Sequence, residues 1–104
     1  MLDISDAKIA RVIFLAREHG PDIAHLIDYI SGLNYDEKSS LVALMWVGRE
    51  SYEPEDIQKA KADAEAEASA PTERYLAGIS DLSEHLESGL DRLGIDVTAL
   101  EDRM

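Results

Sequence analysis

One run governs what this chain can fold into: Leu41-Val42-Ala43-Leu44-Met45-Trp46-Val47, seven apolar residues without interruption. Wound as a helix, it points apolar side chains in every direction around the axis. A helix that is apolar all round is covered on most sides. The run is far too short for the ~20 residues a membrane span needs. It therefore predicts a central core helix over about residues 35–47, with Leu41, Leu44, Met45 and Trp46 as core anchors and Trp46 the largest. Asn34 stands where an N-cap is expected, and Glu37 stands three residues on, in the reciprocal capping position. Gly48 ends the helix, and Arg49 falls near its partly negative C-terminal end.

The rest of the chain has to cover that helix, and the signals are again helical. No alternating β-branched or aromatic run with hairpin punctuation occurs. A first helix is expected from about Asp6 to His19, capped by Ser5 or Asp3 and closed by Gly20-Pro21. Ile9, Val12, Ile13 and Ala16 make its stripe, while Phe14 and Leu15 lie outside it. That excess implies packing against several elements or another chain. A short second helix spans about 22–31 on Ile23, Leu26, Ile27 and Ile30. A fourth runs from Pro54 to about Ala68, with only Ile57 large and Ala60, Ala64 and Ala68 beside it. This alanine-rich helix is expected to be the least firmly held. A turn at 72–77 and a helix over about 81–93 follow, the latter capped by Ser80 and ended by Gly94. Leu82, Leu86 and Leu90 anchor it, and Gly89 on the same face implies close backbone approach, since a mid-helix glycine costs ~1 kcal/mol against alanine. The expected architecture is all-α: one irregular bundle of five or six helices around the segment 35–48, a single domain over 1–94, and a loosely attached acidic tail over 95–104.

Charge narrows the function. The 104 residues carry 22 acids and 10 bases, a net charge of −12. Residues 1–49 hold seven acids and five bases, and residues 50–104 hold fifteen and five, giving −2 and −10. Duplex binders place Lys and Arg on phosphates, so direct nucleic-acid binding is excluded in its ordinary mode. With no Cys there is no disulfide, thiolate metal site or thiol nucleophile. The N-terminal stretch has acids before its apolar residues and no basic leader, and no membrane-length run follows, so a cytoplasmic protein is expected.

Catalytic signatures are sparse. GxSxG, P-loop, GxGxxG and HExxH patterns do not occur. His25, with Asp22 and Asp28 three residues to either side, forms a cluster suited to weak cation binding, but it lacks the closed ligand set of a structural zinc site. His19 sits at a helix end. His85 stands four residues after Asp81, a pair along a helix. The segment Trp46 to Tyr52 gathers Trp46, Arg49 and Tyr52 where the buried helix emerges, and these are types enriched at binding hot spots. They are the candidate partner or ligand contacts. The competing reading is structural: Trp46 fills the core, Gly48 turns the chain and Arg49 pairs with a nearby acid.

The run Leu41 to Arg49, written LVALMWxGR, resembles the signature of a bacterial family of small uncharacterised proteins, a domain of unknown function. Tyr75-Leu76-Ala77-Gly78 and the helix with Leu82, Leu86, Gly89 and Leu90 are similar to its C-terminal part, so the resemblance covers about residues 33–94. The chain departs from the pattern after the arginine, where Gly-Asp is expected and Glu50-Ser51 stands. The resemblance implies a bacterial helical domain and no mechanism.

The residues together favour a non-enzymatic protein-interaction or regulatory domain that associates with itself as a homodimer, or with another protein, without a cofactor. The alternatives are a small-molecule or metal-dependent enzyme using His25, Asp22 and Asp28 or Arg49, and an acidic decoy for a basic nucleic-acid-binding partner.

Overall fold

Each helix starts and stops for local reasons. The computed structural model describes residues 4–17, 23–66 and 71–95. Among them the elements are α1 (Asp6–Arg17), α2 (Ile23–Ser31), α3 (Tyr35–Gly48), a 3-10 turn (Pro54–Asp56), α4 (Ile57–Ala66), α5 (Thr72–Ala77) and α6 (Leu82–Arg92), with no strand. Ser5 caps α1 by accepting from the Lys8 N–H at 3.2 Å. The capping box expected at α3 is formed: Asn34 Oδ1 accepts from the Glu37 N–H at 2.8 Å, and Glu37 Oε1 accepts from the Asn34 N–H at 2.9 Å. Glu37 is buried, and its second oxygen takes a 2.6 Å bond from Lys8 Nζ on α1. The box thus does two jobs, starting α3 and tying its first turn to α1.

Two boundaries differ from the sequence reading. The helix expected from Pro54 is divided: the chain enters through the 3-10 turn, and α4 begins at Ile57. Glu53 at the N-cap makes no side-chain cap bond, and the Asp56 N–H reaches Glu53 O at 2.9 Å, the tighter i to i−3 pattern. The N-cap of α6 is Asp81 rather than Ser80, because a turn closing from the Leu82 N–H to Ile79 O places Asp81 at the junction. His19, Ala68 and residues 96–104 lie outside the described residues.

The helices close a ring: α1 packs on α2, α2 on α5, α5 on α3, α3 on α6, and α6 back on α1. α4 lies outside the ring against α3. So α3 has neighbours on three sides, and every residue from Ser39 to Val47 is buried. Ile9, Ile13, Leu26, Ile30, Leu41, Leu44, Met45, Leu76, Leu82, Leu86 and Leu90 are the most deeply buried large side chains of the core they form together. α4 meets α3 with Ala60 and Ala64 buried and Ile57 half-buried, the small-residue stripe expected of it.

The α3–α6 crossing depends on two glycines. A Cβ on Gly89 would overlap the Leu44 carbonyl, and one on Gly48 would overlap the His85 carbonyl and lie 2.8 Å from the Gly89 nitrogen. The approach inferred from Gly89 is real. Its counterpart Gly48, expected only to end a helix, is the other half of the contact.

Candidate functional site

The Trp46–Tyr52 corner is built by the way α3 stops. Past Gly48 the Glu50 N–H bonds Val47 O at 3.0 Å and the Ser51 N–H bonds Trp46 O at 2.9 Å. This is the paired closure of a Schellman motif, with Glu50 at the left-handed position, φ +66°. The reversal lays Tyr52 over Trp46, with ring centroids 5.5 Å apart and planes inclined by 12°. Such offset stacking adds ~0.5–1.5 kcal/mol beyond the area it buries.

Each polar handle of the aromatic pair has an internal partner. Trp46 is 9% exposed, and its Nε1 donates to Tyr75 Oη on α5 at 3.1 Å. Tyr52 Oη donates to Asp63 Oδ2 on α4 at 2.6 Å, and the same oxygen accepts from Lys59 Nζ at 3.1 Å. The Tyr52 hydroxyl first, and then Lys59, holds the Asp63 carboxyl below its usual range. The corner therefore joins α3, α4 and α5. Nearby, Lys38 on α3 sits 3.4 Å from the buried Glu73 Oε1 on α5. The Glu73 carboxyl is held below its usual range, chiefly by its own backbone N–H and further by Lys38, against the opposing effect of burial.

Of the three sequence candidates, Trp46 and Tyr52 are brought together and Arg49 is not. Arg49 is exposed and donates from Nε to Ser51 Oγ at 3.2 Å, so its partner is a hydroxyl rather than the acid expected. The cation that serves this corner is Arg92, at the end of α6. It donates to Val47 O, to Tyr52 O at 3.3 Å and to Glu53 Oε2 at 3.3 Å. It thereby satisfies a last-turn carbonyl of α3 and holds the connection to α4, a role suited to a forked guanidinium. Sequence reasoning missed Arg92 because it lies 39 to 45 residues from its partners. The only available signal was a cation in the last turn of a helix, where it suits the dipole.

His25 and Asp28 are exposed on α2, and Asp22 lies outside the described residues. Among the described residues no three His, Asp or Glu side chains gather where a metal ion would sit. The side-chain pairing expected of His85 with Asp81 is a backbone bond, the His85 N–H to Asp81 O at 3.0 Å. No helix among the described residues is long and apolar enough to cross a membrane.

The outer side of α1 is the second surface with interface chemistry. Leu15 is half-buried against the core, whereas Phe14 is 42% exposed. Arg11 and Arg17 stand three residues to either side of it, both exposed. Arg17 pairs with Glu87 of α6 at 2.6 Å.

No curated protein and no solved structure matches the chain. The family described as "Protein of unknown function (DUF3775)" matches residues 23–95, the segment from α2 through α6 that builds the Trp46 corner and the glycine crossing; α1 precedes it. Matched over more than half its length, the chain belongs to this family of proteins of unknown function.

Proposed function

We propose that the chain is a non-enzymatic, cytoplasmic protein-interaction domain of regulatory type that associates with itself, and that it is bacterial, as the resemblance of its Leu41–Arg49 run implies. The observation that carries this reading is Phe14. The apolar surround of α3 is consumed by the chain's own α4, α5 and α6, yet α1 keeps a large aromatic in solvent between two arginines. Aromatic residues and arginine are the types enriched where proteins meet.

Sedimentation equilibrium across concentration tests the reading. The expected result is a reversible monomer–dimer equilibrium in the micromolar range, the regime of small interfaces. Phe14→Ser is expected to shift it toward monomer with unfolding unchanged. A strictly monomeric chain at about 100 μM, far above the working range of such contacts, overturns the proposal.

A further inference from the structure

The face shared by α1 and α6 is self-complementary in charge. Arg17 and Glu87 mark the seam between the two helices. On the solvent side of α1, Ala7, Arg11 and Phe14 are spaced by four and three residues, so they form one exposed line. On the solvent side of α6, Glu84, Ser88 and Asp91 have the same spacing and are exposed too. Among the described residues, Arg11, Glu84 and Asp91 have no ion-pair partner. A basic, aromatic strip therefore runs beside an acidic strip, and each carries charge that its own fold leaves unmatched.

We infer that this face is a two-fold contact between two copies of the chain, an inference that rests on the self-association proposed above. A two-fold axis running along the α1–α6 seam sets each α1 against the partner's α6. Arg11 of one protomer then meets the acidic strip of the other, twice, and both Phe14 rings are covered. A two-fold crossing the seam would instead stack α1 on α1 and bring Arg11 onto Arg11, which like-charge repulsion opposes. α1 is about 18 Å long at 1.5 Å per residue, and two packed helices present a strip only about 20 Å wide. That patch falls below the ~800 Å² per partner of a standard interface. The dimer is accordingly weak and sensitive to salt, since its ion pairs lie at the rim.

Charge-reversal variants of the full chain test it by sedimentation equilibrium, alone and mixed. Arg11→Glu alone and the double variant Glu84→Arg/Asp91→Arg alone are each expected to dimerise about tenfold more weakly or worse. Mixed, they restore association, because each α1 then faces an α6 of opposite sign. Restoration also shows that both variants are folded. Two monomeric variants whose mixture stays monomeric overturn the pairing. Variants that each dimerise like the parent overturn this face and leave self-association standing on another. A parent chain that is monomeric throughout overturns both.

Discussion

Glu50 occupies a backbone conformation that glycine adopts at no steric cost. The fold contains a control for it: α6 ends in the same closure, with the Gly94 N–H on Asp91 O at 3.0 Å and the Ile95 N–H on Leu90 O at 2.9 Å, and there φ +82° belongs to a glycine. Glu50→Gly should therefore raise stability by about 0.5–1 kcal/mol, and Gly94→Ala should lower it by about 1 kcal/mol, both read from denaturant midpoints. A loss of stability in Glu50→Gly would mean that the glutamate side chain compensates for its backbone. Trp46 is the other residue whose surroundings set a magnitude. Trp46→Ala removes a stacked, nearly buried ring and should cost about 3–5 kcal/mol. Tyr75→Phe removes only the acceptor for the indole N–H and should cost about 1 kcal/mol, with a shift in tryptophan fluorescence. Equal costs in the two variants would refute the division of labour between ring and hydrogen bond.

At the scale of elements, α3 was the most legible part. Its extent, its capping box and its burial on all sides follow from residues within one or two turns of each other. The Lys8–Glu37 pair was not legible, because α1 and α3 meet through the ring and not through any spacing. Its electrostatics give a pH dependence. Lys8 first, then the Asn34 backbone N–H, holds the Glu37 carboxyl below its ordinary 4.5. That contribution is present above pH 4.5 and is lost as pH falls through the depressed folded value. The Lys8 amine is raised above 10.5 by the same bond, so its share is present below pH 10.5 and lost as pH rises through the folded value. Glu37→Gln keeps an acceptor for the cap but gives Lys8 no charge. Its unfolding midpoint should fall less steeply than the parent's below pH 4.5, with a residual slope from Asp63 and Glu73, whose carboxyls are also depressed. An unchanged slope would remove Glu37 from the acid response. Arg92 is the corresponding device at the far end of α3. Arg92→Lys keeps the charge but loses the fork across Val47, Tyr52 and Glu53, and should destabilise by about 1–2 kcal/mol. A lysine variant as stable as the parent would reduce Arg92 to a dipole partner.

The whole molecule accounts for what the apolar run could not say. A helix apolar all round must be covered, and another chain was a possible cover. Here α4, α5 and α6 supply it, and among the described residues the large apolar side chains left exposed are Phe14 on α1, Tyr35 on α3 and Tyr75 on α5. The uneven charge likewise acquires a geometry: the acids of α6 lie beside the bases of α1, so a division along the chain becomes a division across one face. The helical class, the caps of α1 and α3, the central position of α3 and the tight approach at Gly89 can be read from the residues alone. These depend on backbone hydrogen bonding, propensity and periodicity, which act over a few residues. That Gly48 answers Gly89, that Arg92 closes α3, that Tyr75 accepts from Trp46 and that Glu37 binds Lys8 emerges from the packed fold alone. Those contacts join residues roughly thirty to forty-five positions apart. No local period encodes them; they exist because burying α3 brings its neighbours into reach.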